Sequence, residues 1–315
     1  MATQSIFSNW DAATGDRFGH ETLELEHTLS SSQLFSDDAL GQLIDLTGRD
    51  DYHISTMDPQ SHDPKSRREG VIDGLPGLEV LDAIKNGHLW LNLRNSASYS
   101  PGYRELLEGI YDELHRRIPA LKTFKQELTI LISSPSVRVG YHCDVPGQTL
   151  WQIRGRKRIW LYPNQDPFLP QPALEKILLG EAHEVSLKFD PKFDDGAQAI
   201  DLEPGQMLTW PHNAPHRIEN YDCLNISITT EHWTPELRNA YAVNYANGIL
   251  RSRFGVNQLS QSTHKASFYP KLGLAAAYKM AGIQKRRKHK FNIDFRVDPT
   301  ADAGFSDIPA YEMSK

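Results

Sequence analysis

Between Glu127 and Trp233 the chain breaks into short apolar stretches, each cut off by a turn signal. Residues 127–133, 136–144, 149–154, 156–163, 183–189, 206–210 and 224–233 read as strands. Pro146-Gly147, Gly155, Asp194-Asp195-Gly196 and Pro204-Gly205 separate them. Many short strands with frequent turns specify a sandwich or barrel. The flanks have a different texture. Up to about Pro119 the spacing is mostly helical. Ser36-Asp37-Asp38 caps a helix through Leu40, Leu43 and Ile44, and Ser100-Pro101 opens another. Between these, residues 49–77 read as a long loop rich in Pro and Gly, 78–85 as a short helix ended by Asn86-Gly87, and 88–93 as a strand. Helices return after Thr234-Pro235-Glu236, and the tail beyond Gly282 reads as charged and irregular. The chain is thus predicted to be mainly β with flanking helices: 1–119 mostly helical and packed on a barrel, 120–233 the barrel, 234–315 helical with a charged tail.

A chain of 315 residues, 39% hydrophobic and 23% charged, can bury a sizeable core. Its net charge of -6 gives no general attraction to nucleic acid or to an anionic membrane. The basic run 284–290 reads as the solvated end of a helix rather than a nucleic-acid patch. No stretch has the length of a signal peptide or a membrane span, and two cysteines, Cys143 and Cys223, make no disulfide framework. A cytoplasmic protein is expected.

The chemistry concentrates at His142-Cys143-Asp144. Residues two apart on a strand share a face, so His142 and Asp144 point the same way. An imidazole and a carboxylate on one face are two-thirds of the facial triad that binds non-haem Fe(II). The third ligand is sought in Trp210-Pro211-His212-Asn213-Ala214-Pro215-His216, where Pro211 and Pro215 argue against a helical His pair. His216 is preferred over His212. Cys143 faces away from both ligands and is not read as a nucleophile.

In 156–163, Lys157 shares a face with Ile159 and Leu161, while Arg156, Arg158, Trp160 and Tyr162 take the other. A lysine on an apolar face is costly unless an anion meets it. A cosubstrate carboxylate, a buried acid, or a snorkelling stem are the ways out.

Together, His142, Asp144, Gln148, Gln152, Gly155-Arg156-Lys157-Arg158, Gly205, His216, Ile218, Glu219 and Trp233 resemble the JmjC/cupin-like Fe(II)/2-oxoglutarate-dependent oxygenases. In particular, their order resembles that of the asparaginyl hydroxylase acting on hypoxia-inducible factor. Ile84-Lys85-Asn86-Gly87-His88-Leu89-Trp90-Leu91 is similar to the region before the barrel in bacterial cupin-like proteins. The resemblance implies a double-stranded β-helix (jelly-roll) barrel with Fe(II) on His142, Asp144 and His216. It implies Lys157 on the far carboxylate of 2-oxoglutarate, with Gln148 and Gln152 as further cofactor contacts. A cosubstrate-binding Thr of that enzyme falls at Val139, so another hydroxyl is expected to serve, with Tyr141, Thr129 and Ser133 as candidates. An active-site Asn falls at Glu231, where a carboxylate repels 2-oxoglutarate, binds a cationic substrate or orients water.

The activity so implied is hydroxylation by O2 and 2-oxoglutarate of an unidentified protein or small molecule. The alternatives are a metal-dependent cupin enzyme that uses no 2-oxoglutarate, and a non-catalytic binding module. The apolar faces Leu237, Tyr241, Ala246 and Leu272, Ala276, Met280 suggest a homodimer through the C-terminal helices.

Overall fold

The computed structural model describes residues 5–57, 66–282 and 290–314. Within these, the strands are β1 (Leu23–Glu26), β2 (Tyr52–Thr56), β3 (Arg68–Val71), β4 (Trp90–Leu93), β5 (Phe124–Ser133), β6 (Arg138–His142) and β7 (Gly147–Arg154). They continue with β8 (Lys157–Leu161), β9 (Gln198–Leu202), β10 (Gln206–Thr209), β11 (His216–Asn220), β12 (Asn225–Trp233), β13 (Lys290–Val297) and β14 (Phe305–Ser314). The helices are α1 (Thr14–Arg17), α2 (Asp37–Leu46), α3 (Gly77–Asn86), α4 (Pro101–Arg117), α5 (Gln171–Leu178), α6 (Pro235–Phe254) and α7 (Phe268–Met280).

Ten strands form one sheet in the order β1-β10-β7-β12-β5-β4-β2-β3-β13-β14, and four form a second, β6-β11-β8-β9. Both are antiparallel except where β13 runs parallel to β3. Alternation sorts the large sheet's side chains to two faces. Leu128, Ile130 and Ile132 of β5, Trp151 and Ile153 of β7, and Ile226 and Ile228 of β12 lie in the larger core with α2, α3 and α4. The opposite face supplies Leu150 and Leu208, which pack on Ile159, Leu161, Ile200, Leu202 and Ile218 of the small sheet. The two sheets therefore face each other across a small apolar cluster. A third cluster joins Tyr141, Cys143 and Tyr162 to α5 and α6.

Local signals act as expected at the helix ends. The Ser36 hydroxyl accepts from the Ala39 amide at 3.3 Å, and the Thr234 hydroxyl accepts from the Leu237 amide at 3.2 Å. Three stretches differ from expectation. The loop expected over 49–77 contains β2 and β3, whose residues gain the ladder bonds of an extended sheet. The stretch 183–189 holds a 3-10 turn over Glu184–Ser186 instead of a strand, with the His183 ring accepting from the Val185 amide. The tail forms the β13–β14 hairpin, in which Ile293, Phe295 and Val297 are buried. The basic run 284–290 lies outside the described residues except for Lys290 at the start of β13. No described helix is long and apolar enough to cross a membrane.

Candidate metal centre

His142 ends β6 and His216 begins β11, and the two are directly paired. That pairing depends on an irregularity. Ile218 pairs with Val139, so regular spacing would set His216 against Tyr141. One extra residue in β6 sets it against His142 instead. Such a bulge reverses the facing of every side chain beyond it. Val139 and His142 both face inward, and Tyr141 is turned to the helices, where its hydroxyl donates to the Phe168 carbonyl at 2.8 Å.

The ligand atoms of His142, Asp144 and His216 all lie within 4.8 Å of one another. The two imidazole rings are 4.2 Å apart, and His216 Nε2 is 3.4 Å from Asp144 Oδ2. Each histidine turns Nδ1 to a backbone carbonyl, His142 to Gly140 at 2.8 Å and His216 to Ala214 at 3.1 Å. A proton on Nδ1 leaves Nε2 with its lone pair directed at the group. Burial, aided by the neighbouring His142, holds His216 well below the usual imidazole range. Burial pushes the Asp144 carboxyl up, with His142 opposing. Two imidazoles with Nε2 turned to a carboxylate are a donor set a divalent ion satisfies.

His212 stands apart. Its Nε2 meets the Val145 carbonyl at 2.8 Å, and Asn213, at φ 60°, donates to the Asp144 carbonyl at 2.5 Å. The Pro211–Pro215 loop thus braces the backbone that carries Asp144. The Trp210 ring, 4.9 Å from that of His216, closes one side.

The remaining expected residues divide. The Gln148 carboxamide faces Asp144, and with its nitrogen so directed it donates to Oδ1 over 2.9 Å. Glu231 pairs across strands with both Gln148 and Glu127. Burial, with Asp144 and Glu127 nearby, pushes its carboxyl up to about 7. Lys157 lies four residues from Leu161, the cross-strand partner of His216, and shares its inward face. That is about 13 Å along β8. It is 3% exposed, and among the described residues its ammonium has no hydrogen bond or ion pair. Burial pushes it down to about 7. Two expected cofactor contacts are engaged elsewhere. Tyr141 is turned outward as described. Gln152 donates to the carbonyls of Arg154 and Gly155 and to Asn225 Oδ1, and accepts from Ser227, so its whole carboxamide holds the β7–β8 turn.

Glu184 was not foreseen. Burial, with Asp144 and Glu231 adding, pushes it up to about 8, while Arg94 opposes. Nothing in its sequence surroundings marks it, because the 3-10 turn that presents it follows no periodic pattern.

A family description, the cupin-like domain, matches residues 83–236. The matched stretch is similar to that domain. It contains the His142, Asp144 and His216 group and Lys157. Human HSPB1-associated protein 1 is 34% identical over 113 residues, which is 33% of this chain and 23% of that protein. The matched part thus spans about a quarter of that relative's length. Among solved structures, Escherichia coli ycfD aligns over 88% of this chain and 69% of its own, at 18% identity and a TM-score of 0.52. The ribosomal oxygenase YcfD from Escherichia coli in complex with cobalt and 2-oxoglutarate aligns over 87% and 67%, at 18% identity and a TM-score of 0.50. The likeness is one of fold: β-sheets of cupin-like type with flanking helices.

Proposed function

We propose that this protein is an Fe(II)- and 2-oxoglutarate-dependent oxygenase, a hydroxylase of a protein or small-molecule substrate. His142, Asp144 and His216 would hold the iron, and Lys157 the far carboxylate of 2-oxoglutarate. The observation that carries this reading is the buried ammonium of Lys157. Among the described residues it has no hydrogen bond or ion pair, and it sits on the inward face it shares with the partner of His216. An anion supplied from outside the chain offsets that burial. The cobalt and 2-oxoglutarate bound by YcfD accord with this reading.

With iron and cosubstrate bound, the site supplies oxidation of a C–H bond by O2, coupled to decarboxylation to succinate. The chain supplies geometry. The Gly140 and Ala214 carbonyls fix both imidazoles, Gln148 orients Asp144, and the apolar cluster of Leu150, Ile159 and Ile218 excludes water from the space leading to Lys157.

The facing sheets support a double-stranded β-helix, or jelly-roll, barrel over 120–233. The segments 1–119 and 234–315 flank it and lengthen one of its sheets. The two free cysteines accord with a cytoplasmic setting. For assembly we propose a homodimer through α7, whose Leu272, Ala276 and Met280 are exposed together with Tyr269. Ala246 of α6 is buried, and the half-buried Tyr241 stacks on Tyr245. Light scattering that finds a monomer at micromolar concentration rules the dimer out.

Succinate release under air, with and without Fe(II) and 2-oxoglutarate, tests the activity. Lys157→Ala should weaken 2-oxoglutarate binding ten- to a hundredfold, the loss of about 1.5–3 kcal/mol for a charged hydrogen bond, with metal binding kept. A second reading rests on Glu231, close enough to Asp144 to raise its own carboxyl. In a cupin enzyme without 2-oxoglutarate it would be a fourth ligand. Turnover of a substrate without 2-oxoglutarate, unaffected by Lys157→Ala, would favour that enzyme. Weak metal binding and no turnover would leave a binding module.

A further inference from the structure

On its core face the large sheet is apolar along Leu128, Ile130 and Ile132 of β5 and along Ile226 and Ile228 of β12. Behind the row that carries Gln148 and Glu231 the same face turns polar. Tyr111, Thr149, Trp151, Thr230 and His232 meet there, all buried. Thr149 and Thr230 bond to each other at 2.5 Å, and the Trp151 indole donates to both. Tyr111 reaches in from α4, and its hydroxyl donates to the Glu231 carbonyl at 2.8 Å while lying 3.2 Å from His232 Nδ1. One hydroxyl proton cannot serve both, so the ring donates from Nδ1 and the hydroxyl passes a bond on to the backbone. Polar groups inside an apolar core are costly unless each is bonded, and a bonded network fixes what it holds.

This group stands where the ladder is interrupted. Glu231 pairs with Glu127 but Trp233 pairs with Phe124, so β5 carries one extra residue opposite His232. Lys125 absorbs it at φ 51°. A bulge disrupts the ladder locally and leaves a residue unpaired. The Tyr111 hydroxyl holds the Glu231 carbonyl next to that break. On the other side of β12, His232 pairs with Gly147 and Glu231 with Gln148. A Cβ at Gly147 would lie 3.1 Å from His232 Nε2 and 2.8 Å from Leu237 Cδ1, so glycine lets the ring lie against the strand. The next residue, Gln148, turns its carboxamide to Asp144. A continuous chain therefore runs from α4 through the end of β12 and the Gln148 carboxamide to the metal group.

We infer that Tyr111 and His232 are positioning residues of the metal centre, holding the paired ends of β12 and β7 so that Gln148 meets Asp144. They act from the core face of the sheet, opposite the face that carries Gln148 and Glu231. This rests on the metal assignment above.

The test is calorimetric titration of Mn(II) into the full chain well below its melting temperature, with the electron paramagnetic resonance spectrum of the bound ion as a second readout. Gln148→Leu removes the carboxamide and should weaken Mn(II) about tenfold. Tyr111→Phe removes one hydroxyl and should weaken it about fivefold, with an altered spectrum. Tyr103→Phe is the control. Its hydroxyl, on the same helix, also donates to a backbone carbonyl, that of Leu34 at 2.5 Å. It should lower the melting temperature and leave Mn(II) affinity unchanged. In the Gln148→Leu background Tyr111→Phe should cost nothing further, since both act along one chain. His232→Asn keeps a donor at the place of Nδ1 and should bind Mn(II) like the unaltered protein, whereas His232→Leu should not. If Tyr111→Phe folds poorly, that histidine pair carries the comparison. Unaltered Mn(II) affinity in folded Tyr111→Phe, or an equal loss in Tyr103→Phe, overturns the inference and leaves the group a packing device. An undiminished effect of Tyr111→Phe in the Gln148→Leu background overturns it too. Failure of the unaltered protein to bind Mn(II) overturns the metal assignment itself, and this inference with it.

Discussion

Two histidines four residues apart in the 210–216 segment compete for one role, and their ring nitrogens separate them. His216 keeps Nε2 directed at Asp144, whereas His212 spends Nε2 on the Val145 carbonyl. His142→Ala and His216→Ala should therefore abolish stoichiometric Mn(II) binding in a calorimetric titration, and His212→Ala should retain it. Loss of metal in His212→Ala alone would reverse the assignment. Lys157 makes a second prediction, on pH. Its ordinary value is 10.5, and burial brings it to about 7 in the folded protein. Between those values the unfolded chain binds more protons, so this residue makes stability rise with pH across that window. An incoming carboxylate favours the charged form and draws a proton on. Affinity for 2-oxoglutarate should then fall as pH rises above 7, approaching tenfold per unit while one proton is taken up. Titrations in buffers of different ionisation enthalpy measure the uptake, and Lys157→Ala should lose it.

At the scale of single elements, the spacing His142-Cys143-Asp144 was legible because alternation holds within so short a run. The burial of Lys157 was legible for the same reason, from Ile159 and Leu161. The β6 bulge was not, since it is defined only against Ile218 and His216, and no local pattern marks the extra residue. Tyr141 was accordingly kept among the candidate hydroxyls, whereas its hydroxyl donates to the Phe168 carbonyl. The β13 strand was within reach: Phe291, Ile293, Phe295 and Val297 alternate cleanly, but they follow a basic run that suggested an irregular tail. The β7–β8 turn yields the prediction at this scale. Gly155 has φ +74°, and a Cβ there would lie 2.1 Å from the Leu224 carbonyl oxygen. Gly155→Ala should cost about 1–3 kcal/mol, seen as a lower denaturant midpoint. Because Lys157 follows this turn directly, 2-oxoglutarate affinity should fall further than Mn(II) affinity.

Across the whole molecule, the large sheet joins the beginning of the chain to its end. β3 lies between β2 and β13, and Phe295, fully buried, packs on Gly70 so closely that a Cβ there would come within 2.2 Å of its ring. Phe295→Ala should cost about 3–5 kcal/mol in urea unfolding, as other buried phenylalanines do, although the residue lies far from the metal group in sequence. A change below about 1 kcal/mol would mean that the hairpin is an ornament on the sheet. The same join governs the order in which the protein can be made. Synthesis delivers His216 and the whole of β12 well before β13, so the metal group can assemble while β3 still has a bare flank. Parallel pairing between strands so remote in sequence is slow to form, and an unpaired edge invites other chains. A nascent chain stalled before residue 290 would thus carry the assembled His142, Asp144 and His216 group in a body prone to clump.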